Sequence, residues 1–213
     1  MSRHNRLVSV LLSLIVAVLS VAALAETPAV PDEPTKVKPL QAGAAAPAFT
    51  VRDATGEPFR FEPKALQKPA VMIFYRGGWC PYCNAHLGQL RKAEPQLLAM
   101  GYAVLFLSAD RPELLRSSLK EKDINYTLLS DANMNAARAF GIAFRVDDAT
   151  VEQYKKYNID LEAASGATHH ELPVPAVFIV DRTGVIRFAH SNPDYKVRLS
   201  GEEILAAARK AQR

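Results

Sequence analysis

The sequence predicts an α/β fold built on a mixed central β-sheet flanked by helices, and three observations carry that expectation. Residues 71–75 (VMIFY), 103–107 (AVLFL) and 176–180 (AVFIV) are short, continuous apolar runs, the signature of strands covered on both faces. Leucines at helical spacing fill the stretch between the first two runs, so those strands are joined through a helix. The third run meets a further one, residues 185–189 (VIRFA), across the turn Asp181-Arg182-Thr183-Gly184, which makes an antiparallel hairpin.

In chain order, residues 1–25 read as an export signal. Arg3 and Arg6 precede an uncharged, Leu/Val/Ala-rich run that ends in Ala23-Leu24-Ala25, the small-x-small pattern of a cleavage site. The run is also long enough to span a bilayer, so a signal peptide and a retained N-terminal anchor both remain open. Either places the body outside the cytoplasm, in a periplasmic or other extracytoplasmic, oxidising compartment. Residues 26–40 carry Pro28, Pro31, Pro34 and Pro39 with no apolar period and read as an extended, solvated tether. Residues 41–213 form the folded domain.

Within that domain, Leu87, Leu90, Leu97 and Leu98 mark a helical segment that Pro95 kinks or divides. Asp110 is placed to cap a helix opening with Pro112 and running through Leu114, Leu115 and Leu119. Residues 126–129 make another strand, and Asp131 starts a short helix stopped at Gly141. Residues 149–157 fit a helix, while the stretch DLEAASGATHHELPV from Asp160 reads as a surface loop. Ser200 with Glu203 is a capping box that opens a C-terminal amphipathic helix.

A chain of 213 residues with 49% hydrophobic content can bury its own core, so its two cysteines are not needed as a staple. A bridge across two intervening residues would close almost no loop and remove little unfolded-state entropy, which favours chemistry over scaffolding. The net charge of +4 includes Arg3 and Arg6, leaving a balance that implies no nucleic-acid partner.

Both cysteines fall in WCPYC, residues 79–83, between an apolar strand and a helix. Gly77 and Gly78 permit a sharp turn, Pro81 suits the first helical position, and Cys80 then becomes the N-cap. At the positive end of the helix its thiolate would be stabilised, which makes Cys80 the expected attacking thiol. Cys83, one helical turn on, lies within disulfide reach and would resolve the adduct. A structural zinc site needs four ligands, and beyond the two cysteines only His86 stands nearby. An inert pair is the remaining reading.

WCPYC after an apolar strand resembles the active site of the thioredoxin superfamily, and CPYC matches the glutaredoxin tetrapeptide. The segments AGAAAPAFTVRDATGEPF, LLSDANMNAARAFGI and VPAVFIVDRTGVIRF are similar to successive parts of the AhpC/TSA peroxiredoxin family, over about residues 41–210. The resemblance implies a thioredoxin-like fold and an antioxidant thiol oxidoreductase that needs no cofactor or metal. Its substrate would be a hydroperoxide or a protein disulfide, and its reductant a thioredoxin-like protein or a membrane thiol reductase. It also implies a cis-proline beside the thiols at Pro175.

The departures from the family pattern are specific. With Cys83 laid on the peroxidatic position, Arg76 stands where the family has proline, Cys80 where it has Thr or Ser, and Pro175 where it has arginine. Arg76 could supply the missing cation from another direction, and Cys83 could then be the first attacker. The buried Asp of thioredoxin corresponds to Phe74, so another proton carrier is needed, and Glu171, four residues before Pro175, is the candidate. Trp79 is expected beside the thiols and Tyr82 half-exposed. A rival resemblance is to SCO-type copper-binding proteins, with His169, His170 or His190 joining the cysteines, although that family spaces its cysteines by three residues and this chain by two.

Overall fold

A computed structural model describes residues 29–122 and 126–212; the expected leader, residues 1–25, lies outside the described residues. The chain builds β1 (Phe49–Asp53), β2 (Pro58–Phe61), β3 (Ala70–Tyr75), α1 (Pro81–Leu90), α2 (Glu94–Ala99), β4 (Ala103–Ser108) and α3 (Pro112–Lys122). It continues with β5 (Thr127–Ser130), α4 (Asn135–Ala139), β6 (Ala143–Arg145), α5 (Asp148–Lys156) and α6 (Leu161–Ser165). The last elements are β7 (Glu171–Pro173), β8 (Ala176–Val180), β9 (Ile186–Ser191) and α7 (Gly201–Ala211).

Seven strands form one mixed sheet in the order β2-β1-β5-β4-β3-β8-β9. β3, β4 and β5 run parallel, while β1, β8 and β9 each pair antiparallel with a neighbour. β3 is central and buried at every residue, as its unbroken apolar run requires. Its alternate side chains feed two cores. Val71, Ile73 and Tyr75 join Leu90, Leu97, Leu115 and Ile204 on one face. Met72 and Phe74 join Phe140 and Phe178 on the other. The expected Pro95 break is present, with Pro95 in the first turn of α2. The capping box at Ser200 and Glu203 opens α7, both of its hydrogen bonds being formed.

Three expectations are corrected. The described part of the tether does not stand free of the domain, although none of its residues is buried. Val30, Val37 and Leu40 pack on the core, the Arg145 N–H donates to the Pro31 carbonyl at 2.7 Å, and the Leu40 N–H donates to that of Phe140 at 3.1 Å. Proline removes donors from this segment but leaves its carbonyls and its few apolar side chains free to dock. The stretch from Asp160 is not a loop throughout: Asp160 caps α6 by accepting from the Ala163 N–H at 2.9 Å, and residues 171–173 pair with β6. Asp110 lies two residues before Pro112, too far upstream to cap α3, and turns inward instead. By contrast Asp131 does serve α4, its carboxylate accepting from Ala136 N–H at 2.9 Å and Ala137 N–H at 2.8 Å.

Candidate active site

The end of β3, the turn over residues 76–79 and the start of α1 build the site. Cys80 is the N-cap of α1 with φ −87° and ψ 116°, and Pro81 takes the first turn, where its missing N–H costs nothing. Asn84 N–H closes that turn onto the Cys80 carbonyl at 3.0 Å, and Asn84 Nδ2 donates to the Gly78 carbonyl at 2.8 Å. Neither glycine adopts a left-handed φ, so the demand is one of space, tight at Gly77 and looser at Gly78. A Cβ on Gly77 would collide with the Trp79 indole, and one on Gly78 would stand 2.7 Å from Ser118 Oγ. Beneath the turn, buried Asp110 accepts from the Gly78 N–H at 2.6 Å and from Ser108 Oγ at 3.2 Å. This carboxylate was hidden from sequence reasoning by its resemblance to a helix cap.

Both thiols are buried, and the electrostatics divide them. The Cys80 S–H donates to Cys83, which favours the Cys83 thiolate. Arg198, whose Nη2 lies 3.5 Å from Cys83 Sγ, and the backbone N–H groups of Arg76 and Gly77 pull the Cys83 pKa down further, against the cost of burial. Cys80 is pushed up, first because its proton is held by Cys83 and then by burial. The resting negative charge therefore sits on Cys83, not on Cys80 as the helix-dipole argument alone would place it. The Cys83 N–H does favour charge on the N-cap sulfur, but the proton shared with Cys83 and burial outweigh it. The amides that precede the helix face its second cysteine instead. Arg198, from the segment before α7, carried no sequence signal, because only the fold brings it across 115 residues.

Cys80, not Cys83, lines an open cleft of about 370 Å³. Arg76 lies at its floor, buried to 4% exposure, and its guanidinium carbon stands 5.1, 5.4 and 4.3 Å from the ring centroids of Trp79, Tyr154 and Tyr195. Its Nη2 donates to the Tyr154 hydroxyl, while its Nε has no partner among the described residues. Trp79 does sit beside the thiols, and Tyr82 is 46% exposed. Pro175 lines an adjoining cleft that shares Arg76, but its peptide bond is trans, as are all those described, so the cis-proline expectation is corrected. A trans bond is the lower-energy form for proline as for any residue.

Glu171 is not the thiols' proton carrier. Arg138 grips it through two bonds of 2.8 and 2.7 Å, and it lines neither cleft. A carboxylate held in a bidentate guanidinium pair is poorly placed to exchange protons elsewhere. The copper reading finds no support either. His169 Nε2 bonds the Ala132 carbonyl, its Nδ1 accepts from the Glu171 N–H, and His170 faces Glu162. Buried His86 bonds the Leu199 carbonyl, and burial holds its pKa below the ordinary imidazole range. Among the described residues no group of three or more His, Cys, Asp or Glu side chains could hold a metal ion.

Comparison with known proteins agrees with this architecture. A putative peroxiredoxin bcp of Haemophilus influenzae is 33% identical over 106 residues, half of this chain and 68% of that protein. Alkyl hydroperoxide reductase E of Mycobacterium bovis is 26% identical over 159 residues, 75% of this chain and 90% of that protein. In fold, peroxidoxin BcpB from Mycobacterium tuberculosis superposes with a TM-score of 0.61 at 20% identity, covering 80% of this chain and 97% of its own. AhpC of Enterococcus faecalis gives 0.61 at 22%, covering 81% and 92%. The sheet order, the dithiol at the strand-to-helix turn and the match of the AhpC/TSA family profile to residues 42–189 converge: this chain is a peroxiredoxin-like member of the AhpC/TSA family.

Proposed function

We propose that the protein reduces hydroperoxides to alcohols through the Cys80/Cys83 pair, and that Cys80 makes the first attack. The observation that carries this is the placement of Cys80, with Arg76, on the open cleft while Cys83 stays behind it. The Cys80 sulfur attacks the terminal peroxide oxygen as its proton passes to the Cys83 thiolate, to which it is already hydrogen-bonded. The O–O bond breaks, and the leaving alkoxide, stabilised by the Arg76 cation, takes that proton from Cys83. Cys80 is left as a sulfenic acid and Cys83 as a thiolate. Cys83 then attacks Cys80 Sγ, the S–O bond breaks, and the departing hydroxide takes a proton from solvent as the 80–83 disulfide forms. An external dithiol, from a thioredoxin-like protein or a membrane thiol reductase, returns two electrons. Export of the protein, read from residues 1–25, would put this chemistry in an oxidising compartment where such a reductant is needed.

The charge distribution favours one other order, in which the Cys83 thiolate meets a small peroxide directly and Cys80 resolves. Dimedone trapping in single Cys→Ser variants separates the two. The expected result is a stable sulfenate on Cys80 in Cys83→Ser and loss of peroxide consumption in Cys80→Ser. A wild-type rate in Cys80→Ser would reverse the roles.

A further inference from the structure

One buried titratable group close to the dithiol has no part in the mechanism. His86 is 4% exposed and shares the inner face of α1 with Cys83, Leu87 and Leu90, where a leucine would pack without taking ring nitrogens out of water. Its Nε2 lies 2.8 Å from the carbonyl oxygen of Leu199, 113 residues further along the chain. A carbonyl only accepts, so Nε2 carries the proton. Burial first, and then the nearby Arg198 charge, favour the neutral ring against the pull of that hydrogen bond.

Leu199 follows Arg198, the cation beside Cys83. The segment between β9 and α7 that carries both runs along the first turns of α1, with Tyr195 against Tyr82, Arg198 at Cys83 and Leu199 at His86. It is exposed from Pro193 to Val197, and its backbone bonds there are short-range: Asp194 N–H to Asn192 Oδ1, Lys196 N–H to Asp194 Oδ1 and Val197 N–H to the Asp194 carbonyl. The Arg198 side chain does little to hold itself. Its Nη1 donates to the adjoining Val197 carbonyl at 3.2 Å, and its Nε has no partner among the described residues. The backbone therefore sets its place 3.5 Å from Cys83 Sγ, and His86 fixes that backbone to α1. Resting on the dithiol reading above, we propose that His86 is a positioning residue: its Nε2–H pins Leu199 to α1 and so holds the Arg198 guanidinium against Cys83, the thiolate that resolves the Cys80 sulfenate. A neutral imidazole suits the task, whereas a lysine would set a second cation against Arg198.

Two amide side chains separate the pin from packing. The nitrogen of Gln reaches where His Nε2 stands and that of the shorter Asn does not, so His86→Gln and His86→Asn differ in reach at equal polarity. The groups that face Cys83, namely Cys80, Arg198 and the Tyr75 hydroxyl, are the same in both. Ultraviolet titration of the reduced proteins should place the first thiolate of His86→Gln within about 0.2 pH unit of wild type, and that of His86→Asn about half a unit higher, roughly a threefold loss of acidity. In an Arg198→Met background His86→Asn should shift nothing further, because the cation it placed is gone. An Asn variant that titrates with wild type, or a shift that adds to that of Arg198→Met, overturns the pin. Should His86→Asn fail to fold, nitrogen NMR of the wild-type ring decides: His86 should carry its proton on Nε2, and a proton on Nδ1 alone overturns the donor. If wild type showed no thiolate below the roughly 8.5 of a free cysteine, the dithiol reading itself would fall, while the ring spectrum would still judge the hydrogen bond.

Discussion

Arg198 shows what a single side chain does to this dithiol. Its guanidinium lies 3.5 Å from Cys83 Sγ and favours the thiolate there, beside two backbone N–H groups that no substitution of a side chain can remove. Arg198→Met keeps the apolar stem and deletes the charge, so the thiolate should persist on the amides and the Cys80 S–H but less strongly. Ultraviolet titration of the reduced protein should place the wild-type thiolate well below the roughly 8.5 of a free cysteine, and the variant about one pH unit higher, equivalent to about 1.4 kcal/mol. Coincident titrations would show that the cation contributes nothing to the charge on Cys83. Arg76 presents a different case at the same site: its guanidinium stacks against aromatic rings, and its charge also favours a thiolate on Cys80, though less than the proton shared with Cys83 and burial oppose one.

At the scale of elements, α4 is five residues long and depends on Asp131, whose two oxygens accept from adjacent helix N–H groups. Burial nonetheless pushes this carboxyl up to about 7, above the roughly 3.9 of an unfolded aspartate. The folded state therefore binds the proton more tightly, so its contribution to stability is complete below about pH 4 and is lost as pH rises through 7. Asp131→Asn should cost a constant amount, because its amide nitrogen cannot accept the second N–H, but should flatten the fall in thermal midpoint between pH 4 and 7. Parallel curves for the two proteins would remove the titration from Asp131. The same element scale explains what the sequence let one read. Strands with unbroken apolar runs, β3, β4 and β8, and helices with a start signal, Pro81 in the first turn of α1 and the capping box of α7, announce themselves because their signal is local. β6 and β7, three residues each, are strands only because they pair with each other, and Asp110 is legible as a buried acid only once β4 carries it under the Gly77-Gly78 turn. The dithiol could be read from WCPYC, whereas Arg198, Tyr154 and Tyr195 reach it through the fold from 70 to 120 residues away.

At the scale of the whole molecule, the segment before β1 ties the far core to the cleft. Residues 29–40 cross β6 and α4, and Asp32, Glu33 and Pro34 line the cleft that shares Arg76 and Pro175. The crossing is close at Gly141, which adopts φ +70° and whose missing side chain leaves room for the Lys38 carbonyl. Gly141→Ala therefore does two things at once. It strains the left-handed backbone by about 1–2 kcal/mol, and it drives a methyl into Lys38, which must move away. The backbone cost is felt wherever α4 ends, but displacement of the strap is local and separable. In the variant, hydrogen exchange should accelerate at the Arg145 and Leu40 amides, which donate to Pro31 and Phe140 across this contact, while amides of β3 and β4 change only by the global loss of stability. Proteolysis should also begin near residues 29–40 under conditions that leave wild type intact. Uniform acceleration across strap and sheet would mean that the segment unfolds only with the whole domain, so that it is part of one cooperative core rather than a separately releasable cover over the Arg76 side of the site.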